Sequence, residues 1–368
     1  KTTYKKMKFN ALVGNPPYQI NDGSGASDDA ANPIYQEFVN IAEIVSDKYV
    51  SLIMPAKWMI GGKPILKPFR KQMMDDKSIR MFFDYENDRT IFENAHNDGG
   101  ICYYLWDKEY IEPEECNGAE ECNERKGRTN YVFIPRTGKA IISLRNLNDG
   151  GFDIVIRDKR RLPILNKIKT SNLNFKTKVS MTKPFGIRKD VFNNPDKYKE
   201  YNLSTNNYEG SLKIYGVKGI KGGAKRTSCY ISKSIVSKNK EFVKLYKLFF
   251  TTSYSADAVI PPDIIVAGPD EICTETFILI GPFNNESEQL NCYKYMQTDF
   301  FRVLLFFGHG TMQVSQEVFR FIPLLDFSTE RGIDWQKSVK EINNQLFNKY
   351  QLSQRDIAFI ESIMSSSK

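Results

Sequence analysis

The chain is 368 residues long and carries 52 Lys+Arg against 44 Asp+Glu, a formal net charge of +8. That length holds two or three domains with cores of their own, and 41% hydrophobic with 13% aromatic residues excludes a disordered chain, which lacks the apolar surface that offsets ordering entropy. The longest apolar runs, Tyr49–Met54 and Ile101–Trp106, are strand-length; a membrane span needs about 20 apolar residues, so a soluble, cytoplasmic protein is expected.

The first hundred residues alternate strand and helix signals. Phe9–Gly14 is a short apolar run feeding a turn, and Asn21–Asn32 is a Gly/Ser/Asp-rich loop. Ile34, Phe38, Ile41, Ala42 and Val45 then repeat at helical spacing, with Pro33 suited to the first turn. Tyr49–Met54 is a buried-strand run, Pro64–Asp75 reads as helix, and Ile79–Tyr85 and Ile101–Trp106 read as strands. The order is that of an α/β sheet covered by helices. An acidic stretch, Glu109–Glu124, follows as an insertion. Its Cys116 and Cys122 have neither a second pair nor a neighbouring histidine, so no metal site is expected, and the six scattered cysteines of the chain read as free thiols of a reducing compartment. Tyr131–Pro135 and Phe152–Ile156 are predicted strands, and Lys159–Lys169 is a basic amphipathic helix.

A domain boundary is placed near 157, giving 1–156, 157–330 and a helical segment 331–368. The middle region is punctuated by Gly and Pro, which suits a mixed α+β domain. Val339, Ile342, Leu346 and Tyr350, then Ile357, Ile360 and Ile363, predict two terminal helices, the second opened by Ser353 with Asp356 three residues on. No repeat of 20–50 residues is visible.

The chemistry lies in Asn15-Pro16-Pro17-Tyr18, directly after the strand Phe9–Gly14 and so at the end where α/β sheets present their ligands. Two prolines stiffen the backbone and remove its donors, leaving Asn15 and Pro16 to offer oxygens and Tyr18 a flat face. A planar amine fits such a pocket; a rigid strand-to-helix turn is the plainer alternative. An exocyclic amine on an aromatic ring is a poor nucleophile because its lone pair is conjugated into the ring. Acceptors such as the Asn15 side-chain oxygen and the Pro16 carbonyl would each take one N–H and turn the lone pair outward. No strong base is required, and neither His96 nor His309 sits in a nucleophile-and-base pattern.

Lys8 through Tyr18 resembles motif IV of the amino-group DNA methyltransferases, the N6-adenine enzymes of bacterial restriction-modification systems. Val50–Pro55 resembles that family's next core strand. Thr90-Ile91-Phe92 followed by Gly99–Trp106 resembles the motif whose aromatic residue faces the flipped base, which makes Phe92 the candidate partner of Tyr18 in stacking on an extruded adenine; an ordinary core aromatic is the alternative for Phe92. Val314–Phe327 and Tyr350–Met364 are similar to the end of the target-recognition region in large methylases. The resemblance is strong at both ends of the chain and weak between 160 and 310. It implies a partial Rossmann-like methyltransferase domain, a target-recognition domain, and S-adenosylmethionine as methyl donor. In that family's common order a glycine-rich cofactor turn precedes the Asn-Pro-Pro-Tyr segment, whereas only thirteen residues precede Gly14. The chain is therefore expected to be the carboxy-terminal part of a larger enzyme, with most of the cofactor pocket outside it. Phe306–Thr311 superficially fits a late glycine turn, but 57 residues after Thr311 are too few to complete a nucleotide fold.

Charge locates the expected partner. From Arg157 through Lys247 there are 23 basic and six acidic residues, a net +17, and the remainder is −9. Phosphate neutralisation with counterion release calls for such polarity, which points to double-stranded DNA. Tyr215–Arg226 combines glycines with Lys218, Lys221, Lys225 and Arg226, as a phosphate-hugging loop would, and Met181–Arg188 adds Lys183 and Arg188. The competing readings are a DNA-specificity module without methyl transfer, a part of a combined restriction-methylation enzyme or one working with a restriction subunit, and an enzyme acting on RNA or protein. Glu124-Arg125-Lys126 has the Glu-x-Lys shape of a metal-dependent nuclease but lacks an upstream Pro-Asp on a strand.

Overall fold

A computed structural model describes residues 8–20, 32–93, 99–110, 127–136, 138–169, 173–180, 182–221, 223–328 and 332–366. The chain divides into two compact units, 1–162 and 163–368. No helix among the described residues is long and apolar enough to cross a membrane.

The first unit is built on strands β1 (Phe9–Gly14), β4 (Ser46–Pro55), β5 (Ile79–Tyr85), β6 (Ile101–Asp107), β7 (Thr129–Ile134) and β8 (Ile141–Arg145), in the sheet order β1-β4-β6-β5-β7-β8. β1 pairs with β4 and β5 with β7 in parallel, while β6 runs antiparallel to both β4 and β5, and β8 antiparallel to β7. The carboxyl ends of β1, β4, β5 and β7 therefore lie along one edge. Alternation explains the central strand: Val50, Leu52 and Met54 of β4 are buried, as a period of two requires for one covered face. Helix α1 (Tyr35–Val45) buries Tyr35, Val39 and Ala42, and α2 (Leu66–Asp75) buries Leu66, Phe69 and Met73. Trp58 meets Phe69 edge-on at 5.4 Å, and Phe82 stacks on Tyr131 at 5.4 Å, arrangements favoured by the ring quadrupoles.

Two local expectations fail for identifiable reasons. Pro33 is not helical: Asn32–Pro33 (β3) pairs antiparallel with Gln19–Ile20 (β2), and α1 begins only at Tyr35. The residue before a proline is disfavoured in helix, and here Asn32 is used for pairing instead. Phe152–Ile156 is not a strand either. The strand beside β7 is Ile141–Arg145, while Ile154, Val155 and Ile156 are buried as an irregular segment, the Val155 amide donating to the Met59 carbonyl at 2.9 Å. A short apolar run announces burial, not the partner that satisfies its backbone.

Glu43 on α1 gives a pH signature to this unit. Burial, then the carboxylate of Asp76, pushes its carboxyl up to about 7, against a hydrogen bond from Gln72 at 3.5 Å. A carboxyl whose folded-state pKa lies above its unfolded value binds its proton more tightly when folded. Its contribution is therefore complete at acid pH and is lost as pH rises from about 4.5 to about 7. Glu43→Gln is expected to raise unfolding free energy at pH 8 by roughly 2–3 kcal/mol, with little change at pH 4.5, measured by urea denaturation at both pH values.

The second unit opens on α3 (Leu162–Ile168) and contains two three-stranded sheets. One has the order β10-β9-β13, from Gly223–Ser232, Ser211–Ile220 and Glu271–Cys273; the other has β12-β11-β14, from Ile265–Ala267, Tyr246–Thr251 and Phe277–Phe283. Phe185, Ile214, Ile231, Phe249 and Ile272 belong to their shared core. Helices α4 (Glu286–Gln297), α5 (Asp299–Gly308), α6 (Val339–Lys349) and α7 (Gln354–Ser365) complete the unit. Capping boxes open α6 through Ser338 with Glu341 and α7 through Ser353 with Asp356. The terminal helices pack into this unit: Phe300 stacks on Tyr350 at 5.1 Å, and Lys167 pairs with Asp356 at 2.6 Å. Gly308 ends α5 where a Cβ would stand 2.2 Å from the Val318 carbonyl oxygen, so its glycine serves close packing.

The +17 stretch is not all surface. Arg157 and Lys247 are buried. Lys247 Nζ shares its three N–H donors among the carbonyls of Leu245 (2.6 Å), Gly268 (2.9 Å), Val243 (3.1 Å) and Phe242 (3.2 Å), which replace the hydration that burial removes.

Candidate active site and nucleic-acid interface

Asn15–Tyr18 leaves the carboxyl end of β1, whose last residue Gly14 pairs with Leu52 of β4. The segment is clamped at its far end as well: the Ile34 amide donates to the Tyr18 carbonyl at 3.1 Å, and Gln19 and Ile20 pair with Pro33 and Asn32. Asn15 and Pro17 are exposed, Pro16 is buried and Tyr18 is half-buried. Burial holds the Tyr18 phenol above its ordinary pKa. Its hydroxyl is enclosed with no partner in bonding geometry among the described residues, the Asn15 side chain being a polar neighbour.

The neighbouring strand ends build the rest of the edge. β4 runs into a buried turn, Ala56–Met59, and the Ala56 amide donates to the Gly100 carbonyl at 2.9 Å. Gly99 and Gly100 have φ of +96° and +87°, and a Cβ on Gly100 would lie 2.1 Å from the Tyr85 carbonyl oxygen, so both conformation and space demand glycine there. After β5, Asn87 caps the turn Asp88–Thr90 by accepting from the Arg89 amide at 3.2 Å. Phe92 follows that turn, half-buried, with its amide donating to the Asp88 carbonyl at 2.9 Å. Asn15–Tyr18, Phe92 and Gly99–Gly100 thus stand along one edge of one sheet.

Beneath this edge lies a group that motif reading overlooks. Asp84, fully buried on β5, accepts from Arg157 Nε at 2.8 Å, from Arg157 Nη2 and from the Tyr131 hydroxyl at 2.6 Å. Arg157 Nη1 donates to the Gly99 carbonyl at 2.9 Å, and its guanidinium lies 5.5 Å from the Phe133 ring centroid. Burial opposes the Arg157 charge, and the Asp84 carboxylate overrides it, so the guanidinium pKa rises further. A carboxylate inside Ile79–Tyr85 and a guanidinium closing Ile154–Ile156 were the available signal, since charges in apolar runs are buried only when paired.

The basic candidates divide. Tyr215–Arg226 is not a loop: β9 and β10 form one antiparallel ribbon in continuous register from Ser211↔Ser232 to Ile220↔Gly223. Leu212, Ile214 and Ile231 supply the period-two apolar face that drives it. Lys218, Lys221 and Lys225 are exposed on its outer half. Arg226, also exposed, donates from Nη1 to the Asp263 carbonyl at 2.6 Å and lies 5.7 Å from the Phe277 ring centroid. Lys183 pairs with Glu275 at 3.0 Å, and Arg188 is exposed. His96, Cys116, Cys122 and Glu124-Arg125-Lys126 lie outside the described residues.

Residues 1–92 match the Eco57I restriction-modification methylase family. Over 113 residues the chain is 41% identical to an uncharacterized adenine-specific methylase of Mycoplasma pneumoniae (strain ATCC 29342 / M129 / Subtype 1), a match covering 30% of this chain and 26% of that protein. The chain thus spans about a quarter of that relative's length. Among solved structures, the type IIL restriction-modification enzyme MmeI in complex with DNA is similar over 96% of this chain and 57% of its own, with a TM-score of 0.51 and 8% identity. That likeness is one of fold. The type IIG restriction endonuclease BpuSI aligns over 95% of this chain and 54% of its own, with a TM-score of 0.33 and 10% identity. With a mixed sheet leading into Asn15–Tyr18, the chain is similar over its first 92 residues to the Eco57I restriction-modification methylases.

Proposed function

We propose that this chain takes part in methylating N6 of adenine in duplex DNA within a restriction-modification system of the bacterial cytoplasm. One observation carries the proposal: Asn15–Tyr18 is clamped at the carboxyl edge of the sheet, inside the residues matched to the methylase family. In this reading Asn15 Oδ1 and the Pro16 carbonyl accept the two N–H groups of the target amine. Both acceptors draw the nitrogen out of conjugation and aim its lone pair; as the N–C bond forms and the donor's sulfur–methyl bond breaks, one N–H proton passes along its hydrogen bond to water. Pro17 keeps the segment rigid, and Tyr18 and Phe92 stack on the extruded base.

S-adenosylmethionine supplies the electrophilic methyl group when bound. The outer strand β1 exposes Phe9 and Val13, and α1 exposes Ile41 and Ile44. An apolar outer strand calls for cover, and we place the cofactor-binding strands of the methyltransferase fold there. Residues 1–156 then serve catalysis, and 157–330 with the helices of 331–368 serve target recognition. Lys183, Arg188, Lys218, Lys221, Lys225 and Arg226 are the proposed DNA contacts, and restriction activity comes from the same or an associated polypeptide.

The test is incubation of the full-length gene product with S-adenosylmethionine and unmethylated duplex DNA, followed by nucleoside mass spectrometry. N6-methyladenine is the expected product. Methylation confined to N4 of cytosine, or none at all, overturns the assignment.

A further inference from the structure

The β9–β10 ribbon outreaches the sheet that carries it. β13 pairs with β9 only over Lys213–Tyr215, whereas β9 and β10 stay paired out to Ile220↔Gly223. Every described residue from 218 to 226 is exposed. The ribbon is anchored along its length: a Cβ on Gly216 would stand 2.2 Å from the Phe192 ring, the Gly219 amide, one pair before the end, donates to Asn193 Oδ1 at 2.8 Å, and Arg226 Nη1 donates to the Asp263 carbonyl at 2.6 Å. The last pair, Ile220↔Gly223, stands beyond these anchors as an exposed tip.

Directly paired residues of an antiparallel ribbon share a face. The face that is core at the root, through Leu212↔Ile231 and Ile214↔Cys229, becomes Lys218↔Lys225 and then Ile220↔Gly223 at the tip. Ile220 is 53% exposed, and its directly opposite partner has no side chain. Lys218 and Lys225 face each other as like charges, an unfavourable pair in isolation. Neither they nor Lys221 is in an ion pair among the described residues. Two facing cations behind one exposed aliphatic side chain complement a polyanion with an apolar stacked interior, and duplex nucleic acid has both features.

Resting on the DNA reading above, we infer that the ribbon enters a groove of the duplex and that Ile220 inserts as a wedge between adjacent base pairs. Lys218, Lys221 and Lys225 meet the flanking phosphates. Gly223 leaves room beside the wedge for the base step to open.

The experiment uses the full-length protein on relaxed circular plasmid DNA, closed by topoisomerase I, together with binding to a linear duplex across a salt series. A wedge unwinds the step that it opens, so the wild-type protein is expected to shift linking number. Ile220→Ala is expected to lose most of that shift and to weaken binding about tenfold, with the slope of log K against log salt unchanged. Ile220→Leu should restore both. Replacing Lys218 and Lys225 together by glutamine should reduce the slope by about two. If Ile220→Ala binds and unwinds like wild type in a protein that still methylates adenine, the wedge is wrong and the function stands. If the wild-type protein neither binds duplex DNA nor methylates it, the functional reading fails and takes the wedge with it.

Discussion

Asn15→Ala is expected to lower the single-turnover rate of adenine methylation by about 10²–10³, the loss typical when one preorganised polar contact to a reacting centre is removed. DNA binding should change less than about threefold, because the contact strengthens only as the amine leaves conjugation. Asn15 is exposed at the end of β1, and the clamp that shapes its segment uses the Tyr18 carbonyl and the Gly14 pairing. The substitution therefore removes an acceptor and leaves the fold. Asn15→Asp retains acceptor oxygens and is expected to keep more activity than alanine. The wild-type rate should be flat from pH 7 to pH 9, since no carboxyl or imidazole takes the proton in this reading and burial holds the Tyr18 phenol above its ordinary value. An alanine variant within threefold of wild type would remove Asn15 from the role assigned to it.

Much of this site was readable because it is local. A short, mostly apolar run ending in a glycine, followed by Asn-Pro-Pro-Tyr, states a strand, its end and a stiff turn in continuous sequence, and β1 runs from Phe9 to Gly14 as expected. Helix α7 was legible for the same reason, with Ser353 and Asp356 forming the box their spacing implies. Pairing across distance was not legible. The Asp84–Arg157 contact joins residues 73 apart, and neither residue sits in a recognisable motif. In sequence the ribbon resembles a loop, because Gly216, Gly219, Gly222 and Gly223 look like loop composition. Gly216 is in fact a strand glycine made necessary by Phe192 against it, the close approach for which strands use glycine.

Arg157→Met is expected to reduce the unfolding free energy by about 3–5 kcal/mol, the usual cost of removing one partner from a buried pair. Asp84 would keep the Tyr131 hydroxyl as a donor but lose both guanidinium contacts, stranding a fully buried carboxylate. Asp84→Leu with Arg157→Met removes both charges, and an apolar pair of similar volume is often close to neutral in stability, so the double variant should regain most of the loss in urea denaturation. Activity should not follow. Arg157 also donates to the Gly99 carbonyl, and no apolar replacement restores that bond. Gly99 and Gly100 adjoin the start of β6 at the same sheet edge as Asn15–Tyr18 and Phe92. Methylation by the double variant should therefore stay depressed while its stability recovers, and that divergence separates a positioning role for Arg157 from a purely structural one. Recovery of both together would mean that the pair merely fills space, and a single-variant loss below about 1 kcal/mol would mean that the buried charges are not coupled as their geometry indicates.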